Sequence, residues 1–156
     1  MTTPAAVPVS LHGALIPGAL VPGALAPAMD GVRLSLHVLA ATVWVGGQLT
    51  LAGLVPAART LGHGAPRTLA QAFARLQWPA YAVLVITGIW NVSATHAGQP
   101  PAWQALLGAK IAVVLLAGVS AWLHSRAGTK VGLAAWGGIT AVASIGALVM
   151  GVFLAG

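Results

Sequence analysis

Two side chains in this sequence are at odds with their surroundings. His37 lies in "RLSLHVLAATVWVGGQLTLAGLVPAAR" (33–59) and Lys110 in "WQALLGAKIAVVLLAGVSAWLHS" (103–125), both otherwise apolar stretches. A neutral imidazole is the commonest protein metal ligand. With thioether sulfur beside it, imidazole suits copper, Cu(I) above all. A histidine in a helical bundle can also hold a haem iron, with a lysine near a propionate. Each residue also has a plain structural use. His37 can hydrogen-bond a neighbouring helix, and Lys110 can run its long stem out to the lipid headgroups.

Other chemistries are closed off by composition. The chain has no cysteine, and Asp30 is its only acid. Thiolate sites, disulfides and a carboxylate pair within one chain are therefore excluded. Acid-poor surroundings also argue against calcium and magnesium. No nucleophile–base–orienter set is visible, and no strand precedes a glycine-rich phosphate loop. The residues point to a binding or transport component more than to an enzyme.

The elements that must position these residues are membrane helices. The chain is 58 % hydrophobic and 5 % charged, against about 25 % charged in soluble domains. A span needs about 20 apolar residues. Four such stretches are predicted, at about 32–56, 73–95, 103–125 and 132–155, giving an all-α integral membrane four-helix bundle over residues 30–156. Pro79 should kink or loosen the second. Glycines 46, 47, 88, 118, 137, 138 and 146, with Ala141 and Ser144, should let the helices approach closely. Residues 1–29 contain "GALIPGALVPGALAP", with Pro17, Pro22 and Pro27 in register. Proline at that spacing opposes a regular helix, so an extended or interfacial N-terminal arm is expected. No lysine or arginine lies near Met1 to mark a secretory signal, which leaves a cleaved and a retained arm both open.

Arg59, Arg67 and Arg75 follow the first span, and Arg126 and Lys130 follow the third. The loop "HAGQPPA" between the second and third has no basic residue. The positive-inside rule places the basic loops in the cytoplasm and both termini outside. Arg33 is the one dissenter. The net charge of +6 then reflects helix orientation, not a nucleic-acid partner; the partners expected are the lipid bilayer and a homo-oligomer or membrane partner protein.

In that topology His37 lies about 8 Å and Lys110 about 10 Å into their spans from the same side, at 1.5 Å per residue. An ionisable group at mid-membrane costs about 2.5–3.5 kcal/mol on insertion scales, which makes it a functional candidate. At this depth the expected metal donors are His37, His96, Met150 and Met29. Lys110, Asn91, Asp30 and Trp44 form a supporting polar cluster, in which Lys110 pairs with Asp30 or hydrogen-bonds Asn91. His12, His63 and His124 read as loop or interface residues. Trp78, Trp90, Trp103 and Trp122 read as an aromatic belt.

The same residues carry a family resemblance. "LHVLAATVWVGGQL" (36–49) resembles the first-span signature of the copper resistance D (CopD) family, a histidine followed by a tryptophan and a glycine pair. "FARLQWPAYAVLVITGIWNV" (73–92) and "WQALLGAKIAVVLLAGVSAWLHSR" (103–126) are similar to its next two spans, with an apolar run ending in Thr-Gly and a lysine entering the third. The resemblance covers about residues 33–126. It implies a plasma-membrane protein of copper uptake or tolerance, with His37 and Lys110 on the family's histidine and lysine positions. Larger members have more spans, so this chain looks like the bare four-helix domain. A first-span histidine with a third-span lysine is also similar to the membrane protoporphyrinogen oxidases, which implies haem b as the alternative cofactor. A ligand-free structural subunit of a membrane complex is the third reading.

Overall fold

The computed structural model describes the backbone of residues 22–155 and the side chains of residues 28–155. Within them the chain is helical throughout: α1 (Pro22–Ala41), a π-helical segment (Thr42–Gly46), α2 (Gly47–Thr60), α3 (Ala65–Thr95), α4 (Pro101–Arg126) and α5 (Lys130–Ala155). α1, the π segment and α2 form one rod. Four helices are therefore long and apolar enough to span a bilayer: Ala28–Thr60, Ala65–Thr95, Pro101–Arg126 and Lys130–Ala155. This is a multi-pass all-α membrane protein. Burying every backbone N–H and C=O in its own helix is what hydrocarbon demands.

The helix starts earlier than the proline spacing suggests. α1 begins at Pro22 and runs through Pro27, so part of the expected arm is helical; residues 1–21 lie outside the described residues. Proline at the first helical position loses no hydrogen bond that a helix would make there. α3 is 31 residues long, about 46 Å at 1.5 Å per residue. That exceeds the ~30 Å hydrocarbon layer, so its first turns, with Arg67, project beyond it. The helix is continuous across Pro79.

Two antiparallel hairpins make the bundle. In the second, α4 and α5 run in even register: Trp103 meets Leu154, Lys110 meets Gly151, Val113 meets Gly146, Ser120 meets Thr140 and His124 meets Gly137. In the first, α1–α2 packs on α3, with His37 against Thr87 and Gly88, Trp44 against Tyr81, and Gly47 against Phe73. Glycine is required at the closest approaches. A Cβ on Gly47 would collide with the Phe73 ring, and one on Gly118 with the Tyr81 ring. Gly46 and Gly138, expected as close-packing positions, instead have no neighbour within 4 Å of where a Cβ would lie.

An aromatic and polar knot joins the hairpins near mid-membrane. Trp44, 2 % exposed, donates its Nε1–H to Ser144 Oγ at 2.9 Å, and Gln48 Nε2 donates to the same oxygen at 3.4 Å. Tyr81 stacks on Trp44 with centroids 4.5 Å apart and donates its hydroxyl to Val114 O of α4 at 2.9 Å. The π segment is where the first rod turns Trp44 into this knot; such segments are single-turn local rearrangements inside α-helices.

Candidate functional site at His37 and Lys110

His37 is half-buried on the inner face of α1. Its Nδ1 lies 2.9 Å from Thr87 Oγ1 of α3. The direction of that bond follows from Thr87. Its hydroxyl has two acceptors in its own helix, Val83 O at 2.7 Å and Leu84 O at 3.3 Å, and a helical threonine ordinarily sends its proton to such a carbonyl. A hydroxyl has one proton and two lone pairs. Thr87 Oγ1 therefore accepts, and His37 Nδ1–H donates. In the neutral imidazole this tautomer leaves the Nε2 lone pair free. A ligating histidine ordinarily has this arrangement: one nitrogen anchored as a donor and the other turned to the ligand. Gly88 makes room for the ring, with His37 Cε1 3.5 Å from where its Cβ would be.

Lys110 stands across from this pair. Its Nζ lies 3.0 Å from where a Cβ on Gly151 would be, so glycine there opens the space the ammonium fills. It is the charged side chain within electrostatic reach of the His37 ring. Lys110 lies nine residues after Pro101, the first residue of α4, about 14 Å along it at 1.5 Å per residue, and His37 lies fifteen residues after Pro22, the first residue of α1.

The supporting cluster is arranged differently from expectation. Asp30 pairs with Arg33, its Oδ1 3.2 Å from Nη2, so it is not Lys110's counter-ion. Lys110 makes no hydrogen bond among the described residues, and neither does the side chain of Asn91. Asp30 and Arg33, one turn apart on one helix, were closer partners than any residue on α4. Arg33 is 7 % exposed, and its Nε has no hydrogen-bond partner among the described residues. The helical period puts Arg33 one turn from His37 on the same face. Trp44 belongs to the mid-membrane knot, a second cluster two turns further in.

The expected metal donors are distributed as follows. Met150 is half-buried on α5, adjacent to Gly151 and hence level with Lys110. Met29 is 51 % exposed, two turns before His37. His96 follows the end of α3 and lies edge-on to Trp103, centroids 6.5 Å apart. Among the described residues no group of three or more His, Asp or Glu side chains could hold a metal ion. Among the described residues no hydrogen bond or ring contact joins His37 to Met150, Met29 or His96. His124, by contrast, anchors the other end of the bundle. Its Nδ1–H donates to Leu133 O at 2.9 Å, and its ring packs on Gly137.

Comparison with protein-family models, with curated proteins and with solved structures returns no match to this chain.

Sequence reasoning missed Thr87, the residue that sets the His37 tautomer. It stands out only as a hydroxyl in an apolar run, and threonine hydroxyls in helices usually bond back to their own backbone. It also missed Ser144 as the acceptor that Trp44 and Gln48 share, and the buried Thr140 Oγ1 to Ser120 Oγ bond at 3.0 Å.

Proposed function

We propose that this protein is a copper-handling component of the plasma membrane, with His37 Nε2 as the metal-binding atom and the end that carries Arg59, Arg126 and Lys130 facing the cytoplasm. The observation that carries this reading is the His37–Thr87 hydrogen bond, which presents an unprotonated nitrogen inside an apolar layer. The Met150 thioether, level with Lys110 on α5, is a soft donor for Cu(I), and the resemblance of residues 33–126 to the CopD family supplies the choice of metal. The role is binding or relay. The mid-membrane knot closes the bundle below His37, and a path across the membrane needs a second copy or a partner protein.

One observation favours the haem reading: Lys110 faces the His37 ring with no acid to neutralise it among the described residues. An ammonium repels a bare cation but matches a propionate. The two readings part in one experiment on purified protein. If copper is the ligand, the chain binds Cu(I), His37→Ala weakens it at least about tenfold, or 1.4 kcal/mol, and Lys110→Met leaves it unchanged or tighter. A Soret band in protein from haem-replete cells, lost in Lys110→Met, replaces copper by haem. Absence of both ligands rejects both.

A further inference from the structure

An open cleft lies at the other end of the described bundle. A cleft of about 810 Å³ separates α2 from α5. Its mouth holds Arg59, near the end of α2, and Lys130, the first residue of α5; its walls are Ala52 and Val55 on one side and Gly137 and Gly138 on the other. Seven residues separate Ala52 from Arg59, and eight separate Lys130 from Gly138. At 1.5 Å per residue the walls therefore run about 10–12 Å inward from the charged mouth.

Neither cation has a counter-ion among the described residues. Asp30 is the chain's only acid; it sits at the opposite end and is paired with Arg33. A charged rim above an apolar shaft matches an amphiphile with an anionic head. It does not match a second copy of this chain. A net charge of +6 offers no negative surface to meet Arg59 and Lys130, and a two-fold contact through this face would set like charges against each other. The geometry points to a binding site for one anionic phospholipid, its acyl chain between α2 and α5 and its phosphate between Arg59 and Lys130. Basic pockets between membrane helices hold anionic headgroups in this way. The site is independent of any metal at His37, about 20 Å or more away along the helix axis by residue count (Ala52 follows His37 by fifteen residues).

The test is native mass spectrometry of the full chain with phosphatidylglycerol or phosphatidylcholine as the probe. The chain should retain one phosphatidylglycerol in preference to phosphatidylcholine. Each charge near the surface is worth about fivefold, so Arg59→Gln with Lys130→Gln should lower phosphatidylglycerol affinity about 25-fold on those constants and abolish the preference. Arg67→Gln with Arg75→Gln, which keeps the cleft intact, should change it less than about twofold. Gly138→Leu should displace the lipid while the protein folds, because Gly138 faces open space. Equal retention of the two lipids by the unaltered chain, equal losses in both double variants, or lipid retained by Gly138→Leu overturns the site. So does high-yield cross-linking of Gly138→Cys to itself in vesicles, clean in a chain without cysteine, since a second copy would then fill the cleft.

Discussion

The two polar clusters on the α1–α2 rod differ in how completely their hydrogen-bonding capacity is used. In the mid-membrane knot it is spent inside the protein. Trp44 N–H, the Gln48 amide and the Tyr81 hydroxyl all donate to atoms of α4 or α5. In the His37 cluster it is not. Among the described residues the imidazole has one side-chain partner, Thr87, Lys110 makes no hydrogen bond, and Arg33 Nε is unpartnered. Polar groups in an apolar medium are costly when unpaired. A cluster that pairs its groups internally holds helices together, whereas a cluster that leaves them open is set up for something that arrives. The first reads as architecture and the second as a site.

Substitutions can break that contrast. The largest effect should come from Trp44→Ala, which empties the centre of the knot and removes its hydrogen bond to Ser144. A buried tryptophan truncated to alanine costs about 3–5 kcal/mol, read as unfolding in mixed micelles. Ligand affinity of the folded fraction should fall less than about threefold, near 0.7 kcal/mol. If affinity falls in proportion to stability, the clusters are one unit and the contrast fails.

Thr87→Val should do the reverse. It keeps the shape but removes the acceptor that fixes the His37 tautomer. Loss of such an outer-shell partner costs about 10–100-fold in metal affinity, measured by competition with a Cu(I) chelator, while stability should change by about 0.6 kcal/mol, the average for a hydrogen bond between membrane helices. Unchanged affinity would mean the hydrogen bond is only packing.

The smallest effect is expected at Ser120 and Thr140. Both hydroxyls also bond back to their own helices, Ser120 to Leu116 O at 2.6 Å and Thr140 to Trp136 O at 2.8 Å. Ser120→Ala with Thr140→Val removes both partners together, so no group is left unpaired. Stability should move by no more than about 0.6 kcal/mol, with ligand affinity untouched. A larger loss would show that paired hydroxyls on α4 and α5 matter more than the knot.

The sequence alone made the four long helices legible, because runs of twenty apolar residues set them. His37 and Lys110 stood out for the same reason, as ionisable groups that hydrocarbon penalises. Register between helices was not legible. A helical period tells which residues share a face, not which residue of another helix lies opposite. That is why Asp30 was assigned to Lys110 when its partner is Arg33, and why Trp44 was grouped with His37 when its partner is Ser144. The π segment at Thr42–Gly46 has no composition of its own to reveal it. The start of α1 at Pro22 escaped because proline spacing argues against a helix most strongly in its interior and least at its first residue.

The central claim is that Thr87 holds His37 with its proton on Nδ1, leaving Nε2 for a ligand. Nitrogen-15 NMR of histidine-labelled protein reads this directly, with the His37 signals assigned by their loss in His37→Ala. The account predicts a protonated Nδ1 and an unprotonated Nε2 in the ligand-free protein, with the Nε2 resonance alone moving when diamagnetic Cu(I) is added. A proton on Nε2, or an Nε2 resonance that does not respond to Cu(I) or to haem, would contradict it.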